Sequence, residues 1–265
     1  MRVPSGGTST RRTTRGRTDE QHVNKLYAIP FSHPSIAARL MLERAGIPHE
    51  VVNFPMGLHP VFLKAKGFSG STVPALVLDG RKVQGSRAIS RAIEARGPAG
   101  ILFPVDPAAR VRVEEAELWG EAALQPIPRR LFRWTMAGNP AIRRRVLQRA
   151  GLPLPGIAAK VMKPIVRRFA RLSNADDATV RADMEGLRTL LDRVDALIVE
   201  GTIGGPEPNA ADFQIATSLA AMLAFEDLVP WIEGRPAADL ARRLVPPYPG
   251  RVPSVVPAAW TRRAA

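Results

Sequence analysis

Two serines, Ser35 and Ser86, each stand where a run of helical periodicity begins, and that position can carry chemistry. The first turn of a helix holds backbone N–H groups without intrahelical acceptors, and it is the positive end of the helix dipole. A hydroxyl there can sit beside a bound anion. The plainer reading of such a serine is an ordinary N-cap. Ser32, three residues before Ser35 in the turn cluster Pro30 to Pro34, is a second hydroxyl in the same neighbourhood. The chain contains no cysteine, so disulfides, Cys-ligated zinc and protein-thiol redox chemistry are excluded. His22, His33, His49 and His59 show no i,i+4 pairing and no acidic cluster nearby, so no metal site is expected. No glycine-rich nucleotide loop is present.

The elements that must position these hydroxyls can be read in order. Lys25 to Ile29 is a short apolar strand, and Ser35 to Ala45 is a helix stopped by Gly46. His49 to Asn53 reads as a second strand and Leu58 to Lys64 as a short helix. Asp79-Gly80 between Ala75–Leu78 and Arg81–Gln84 is the signature of a two-residue hairpin. A third helix starts at Gly85-Ser86-Arg87 and runs to about Arg96. This β-α-β-α-β-β-α order is that of a thioredoxin-like fold. The Gly/Pro-rich stretch from Gly97 to Pro107 marks a domain boundary, and beyond it the pattern is helical. Ala108 to Leu124 is an acidic amphipathic helix. Val180, Met184, Leu187, Leu191, Val194 and Ile198 form one buried stripe. Asn209 with Asp212 is a capping box before an apolar run from Phe213 to Phe225.

These readings divide the 265 residues into five parts. Residues 1–24 form a disordered polar leader, 25–97 the thioredoxin-like domain, and 98–107 a linker. Residues 108–232 form an all-helical domain with a basic insert at 137–172, and 233–265 a Pro-rich tail. No apolar run is long enough for a transmembrane helix and no secretory signal is present, so a cytoplasmic address is expected. The net charge is +14, and residues 129–171 alone carry twelve Lys or Arg with no Asp or Glu. The basicity therefore belongs to one segment rather than to the whole surface.

Thr72-Val73-Pro74-Ala75-Leu76 followed by Gly85-Ser86-Arg87-Ala88-Ile89 resembles the signature of the glutathione S-transferase family. Leu102-Phe103-Pro104 with Asp106-Pro107 resembles the family's interdomain linker, and Asn209 to Phe213 its C-terminal capping box. Pro34-Ser35-Ile36-Ala37 with Arg39 resembles the first helix of its serine-type classes. The resemblance implies a cis bond before Pro74, with the Val73 backbone pairing with the peptide of glutathione. It implies that Ser86 holds the γ-glutamyl carboxylate and that Ser35, or failing it Ser32, ionises the thiol. It further implies a homodimer and a detoxifying transferase that joins glutathione to a hydrophobic electrophile. The Ala/Arg/Pro-rich composition suggests a bacterial source.

The sequence departs from the family pattern where Gly85 replaces the usual Glu or Gln. Gln84, one residue earlier, is the candidate substitute, and another low-molecular-weight thiol is a candidate co-substrate in place of glutathione. The alternative function is a non-catalytic binding or assembly module of the same fold. In the insert, Arg143, Arg144, Arg145, Arg167 and Arg168 are candidate contacts to nucleic acid or an anionic membrane. The scarcity of aromatics there argues against single-strand binding. The other readings of the insert are two amphipathic helices with solvated basic faces, or a lid whose arginines attract an acidic substrate.

Overall fold

The computed structural model describes residues 23–261. The leader expected over 1–24 lies outside the described residues as far as residue 22. Its last residue, Asn24, opens the first strand. The Asn24 side chain donates to the Pro48 carbonyl at 2.9 Å and accepts from the Asp79 N–H at 2.8 Å, so it ties three segments together.

Strands β1 (Asn24–Ala28), β2 (His49–Asn53), β3 (Ala75–Leu78) and β4 (Arg81–Gln84) form one sheet in the order β2-β1-β3-β4. β1 is parallel to β2 and antiparallel to β3, and β3 pairs with β4 across the Asp79-Gly80 turn. Both turn residues have positive φ (47° and 79°), the handedness that matches the twist of a two-residue hairpin. Helices α1 (His33–Arg44), α2 (His59–Ala65) and α3 (Ser86–Arg96) complete the thioredoxin-like unit. α1 starts two residues earlier than the sequence pattern suggested. Pro34 does not stop it, because a proline in the first turn gives up only an N–H that had no acceptor. Ser32 thereby becomes the N-cap, and Ser35 lies inside the helix.

The second half is helical. α4 (Pro107–Trp119) passes through a π-helical turn, Gly120–Leu124, into α5 (Pro126–Gly138). No separate element was expected over 126–138 within the helical domain; Pro126 and Pro128 both fall in the first turn of α5, where they are tolerated. The insert folds as α6 (Pro140–Arg149), α7 (Pro155–Val161) and α8 (Lys163–Leu172). Asn139 caps α6, and α8 begins with Pro164 in its first turn, directly after the end of α7. α9 (Asp177–Val199) buries the expected stripe as far as Val194, after which Leu197 rather than Ile198 is fully buried. α10 (Ala210–Leu223), α11 (Val229–Ile232), α12 (Pro236–Leu244) and α13 (Ala258–Thr261) follow. α12 lies within the segment expected as a tail and packs Ala237, Leu240 and Ala241 inward against α10. Among the described residues no helix is long and apolar enough to cross a membrane.

Every residue of α10 from Ala210 to Met222 is buried, and α1, α4 and α12 all pack on it. A helix with no polar face must be enclosed on all sides. One apolar core therefore runs from the sheet helices into the bundle. Glu117 lies between the two halves at 1% exposure. It accepts from the Ser90 hydroxyl at 2.7 Å and pairs with Arg91 and Arg87. Burial pushes its carboxyl up, and those hydrogen bonds pull it back.

Candidate active site

Between the two halves opens a cleft of about 720 Å³, within the roughly 300–1,000 Å³ of ligand pockets. Its thioredoxin-like wall is the β1–α1 loop, Met56-Gly57, Thr72 to Pro74, and Gly85-Ser86. Its helical wall comes from α5, from α8, and from the chain around Tyr248.

The loop after β1 turns sharply at Phe31 (φ 66°) and delivers Ser32 to the start of α1. The Ser32 hydroxyl caps no backbone N–H. It lines the cleft and accepts a hydrogen bond of 2.9 Å from the Ser35 hydroxyl. Its own O–H is therefore left to donate outward. Ser35 is buried at 4% exposure behind Ser32 and is not part of the cleft wall.

The Val73–Pro74 bond is cis, and both residues line the cleft. Among the described residues, neither the N–H nor the C=O of Val73 has a hydrogen-bond partner, so both are available to an extended ligand. The Gly85 N–H donates to the Pro74 carbonyl at 2.9 Å and fastens this edge to the start of α3. Ser86, the first residue of α3, is 2% exposed, lines the cleft, and makes no side-chain hydrogen bond within the described chain.

Gln84 is engaged elsewhere. Its Oε1 accepts from the Gly70 N–H at 2.9 Å and its Nε2 donates to the Thr72 carbonyl at 2.7 Å. The side chain holds the 70–72 loop against the sheet rather than reaching the cleft. Gly85 has φ 92° and open space where a side chain would begin, so nothing there replaces a family carboxamide or carboxylate. Ser32, Val73, Pro74, Gly85 and Ser86 thus share one surface, while Ser35 and Gln84 support it from behind.

The electrostatics of the cleft favour anions. His33, at 6% exposure, has its pKa lowered to about 3, first by burial and then by Arg129; its Nε2 has no partner among the described residues. His59, buried and stacked on Phe169 at 5.7 Å, is lowered to about 4 by burial and then by Arg133. Both imidazoles are neutral at pH 7. Arg129 and Arg133, one turn apart on α5, line the cleft. Burial lowers both, Arg133 to about 10, and each stays charged.

His33 makes stability depend on pH in a defined direction. Its folded value of about 3 lies below the ordinary 6.5, so its contribution is complete above pH 6.5 and is lost as pH falls toward 3. Within that window one extra proton binds the unfolded chain, a slope of about 1.4 kcal/mol per pH unit. Urea unfolding at pH 6.5 and 5 should show His33→Asn losing about 2 kcal/mol less than the parent. Equal losses would count against the neutral buried imidazole.

Sequence reasoning missed Arg129, Arg133, Phe169 and Tyr248. The two arginines lie on α5, where no separate element was expected, and their i,i+4 spacing was the signal that could have found them. Tyr248 belongs to the segment expected as a Pro-rich tail. It donates weakly to the Phe31 carbonyl at 3.4 Å, and burial pushes its phenol up, so it stays protonated. One candidate anion contact is corrected. Arg143 is 3% exposed and its guanidinium donates to the carbonyls of Ala159, Met136 and Ala137, so it clamps α6 to its neighbours instead of reaching outward. Arg144, Arg145, Arg167 and Arg168 are exposed.

A four-stranded thioredoxin-like sheet joined to a helical bundle, with a cleft at the cis-proline edge, defines the glutathione S-transferase fold. The family profile described as "Glutathione S-transferase, N-terminal domain" matches residues 26–100, so that part of the chain is similar to this family. Solved structures extend the likeness over most of the molecule. Glutathione transferase F7 from Populus trichocarpa is 18% identical, with 83% of this chain and 92% of that one covered at a TM-score of 0.57. FzlA from C. crescentus is 20% identical, with 90% and 98% covered at 0.59. A glutathione S-transferase from Sinorhizobium meliloti 1021 is 19% identical, with 84% and 87% covered at 0.53. At these identities the likeness is one of fold. A search of curated proteins finds no significant match.

Proposed function

We propose that the protein is a transferase that binds glutathione or a related low-molecular-weight thiol and conjugates it to a hydrophobic electrophile. The observation that carries this reading is the convergence on one cleft of a free hydroxyl at Ser32, an unpaired peptide edge at Val73, and the amide end of α3 with Ser86. An extended peptide ligand pairs with Val73, its carboxylate sits at Ser86, and its sulfur reaches Ser32. Donation from Ser32 to sulfur stabilises the thiolate, whose proton passes to solvent. The sulfur lone pair then forms the C–S bond to the electrophilic carbon, and the leaving group departs with its bonding pair. Holding both reactants in one cleft supplies the remainder of the rate.

Calorimetric titration with glutathione tests the reading. Binding is expected, and Ser86→Ala should weaken it by roughly ten- to a hundredfold, the range of one hydrogen bond to a charged group. No heat, or identical affinity in the variant, would sink it. A second reading, a non-catalytic binding module, draws on Gly85 and the occupied Gln84 amide, which leave the thiol's α-amino group without a side-chain partner at that position. Binding without turnover of any thiol–electrophile pair would favour that reading.

A further inference from the structure

The helical wall of the cleft carries more positive charge than its surroundings neutralise. On α5, Arg130 is fully matched: its Nε lies 2.6 Å from Asp183 Oδ2 and a second nitrogen pairs with the other oxygen. Its neighbours are not. Among the described residues, neither Arg129 nor Arg133 forms an ion pair. Arg129 donates to the neutral Gln125 amide, and Arg133 lies over the Phe169 ring, 5.6 Å from its centroid. Glu121 is the carboxylate in the cleft wall; its charge acts on Arg129 without forming an ion pair with it, and it is shared with Arg87 at 3.7 Å. His33 and His59 add no charge of their own at pH 7. Half-buried guanidiniums without an ion-paired carboxylate are costly, and an anion entering the cleft relieves that cost.

Beside these arginines the wall is apolar, with Met136 from α5 and Met162, Ile165, Val166 and Phe169 at α8. Here the basic insert acts through its greasy side: Arg167, Arg168 and Arg171 point to solvent while Phe169 faces the cleft. α8 also closes over the thioredoxin-like half at Gly57, where an added Cβ would lie 2.9 Å from Ile165 Cγ2.

We propose that Arg129 and Arg133 form an anion-holding subsite beside this apolar floor, and that the second ligand of the cleft is an acidic amphiphile, an aryl or alkyl compound bearing a carboxylate or sulfonate. Arginine suits both tasks, since its planar group bonds oxyanions bidentately and stacks on aromatic rings. Calling this ligand the electrophilic substrate rests on the transferase reading; the binding itself does not.

A matched pair of fluorescent probes tests it. 8-Anilinonaphthalene-1-sulfonate carries the anion, and N-phenyl-1-naphthylamine is its neutral counterpart. The sulfonate should bind the parent protein more tightly than the amine. Arg129→Gln/Arg133→Gln should weaken the sulfonate by at least about tenfold while leaving the amine within about twofold, which also shows that the pocket is intact. Arg133→Lys should fall between. Equal loss for both probes, or no loss for the sulfonate, overturns the proposal. Glutathione titrated against the same variants separates the two ideas. Unchanged glutathione affinity with weakened sulfonate supports an acidic second ligand; weakened glutathione with unchanged sulfonate assigns the arginines to the thiol peptide and ends the proposal. Absence of glutathione binding in every variant would remove the transferase reading and leave the sulfonate result standing.

Discussion

Replacing Ser32 by alanine is expected to lower kcat/KM for thiol conjugation by roughly ten- to a hundredfold and to move the acid limb of its pH profile upward by about one to two units. Both effects have one origin. A hydroxyl that donates to a thiolate favours the charged form, and a hydrogen bond to a charged group contributes about 1.5–3 kcal/mol. The neutral imidazole of His33 next to it offers no compensating charge. Ser35→Ala should do less, because Ser35 touches Ser32 rather than the cleft and acts by positioning its hydroxyl. A Ser35→Ala loss larger than that of Ser32→Ala, or a pH profile that fails to move in Ser32→Ala, would reverse the assignment. Steady-state rates from pH 5.5 to 9 with a saturating electrophile are sufficient to decide.

The largest effect on stability is expected at Asp212. It has no exposed surface and accepts from the Gly204 N–H at 2.7 Å and the Asn209 N–H at 2.9 Å, while Asn209 in return accepts from the Ala211 and Asp212 N–H groups. The box fixes the start of α10, the helix against which α1, α4 and α12 all pack. Asp212→Ala takes the acceptor from two half-buried N–H groups and undoes the box at a fully buried position, at a cost of about 3 kcal/mol. For a chain of this size that corresponds to a fall in Tm of roughly 6–12 °C. Thermal unfolding followed by far-UV circular dichroism checks it. A fall of less than about 2 °C would mean that solvent reaches the box, contrary to its burial.

Much of the architecture was legible because it depends on local chemistry. Asp79-Gly80 can occupy two successive positive-φ positions, so the hairpin could be read from two letters. The Asn209–Asp212 box and the stripe on α9 follow from capping geometry and from the helical period. α5 had no separate place in that reading; it begins with Pro126 and Pro128 in its first turn, directly after the π-helical turn that continues α4.

The site divides along the same line. Sequence alone determined which groups could act: hydroxyls near helix starts, a proline at the strand entry, an absence of cysteine, and an excess of arginine in the helical half. Tertiary structure decided which of them meet. A two-residue shift in the start of α1 brings Ser32 to the cleft and hides Ser35, while the loop at 70–72 takes up Gln84. Arg143 is drawn inward by carbonyls of α5 and α7. Residue type and near-neighbour spacing set what a side chain can do, but exposure and partners come from segments far along the chain. Among the described residues Arg129 forms no ion pair, while Arg130, one residue later and rotated by about 100° around the helix, pairs with Asp183 fifty-three residues away.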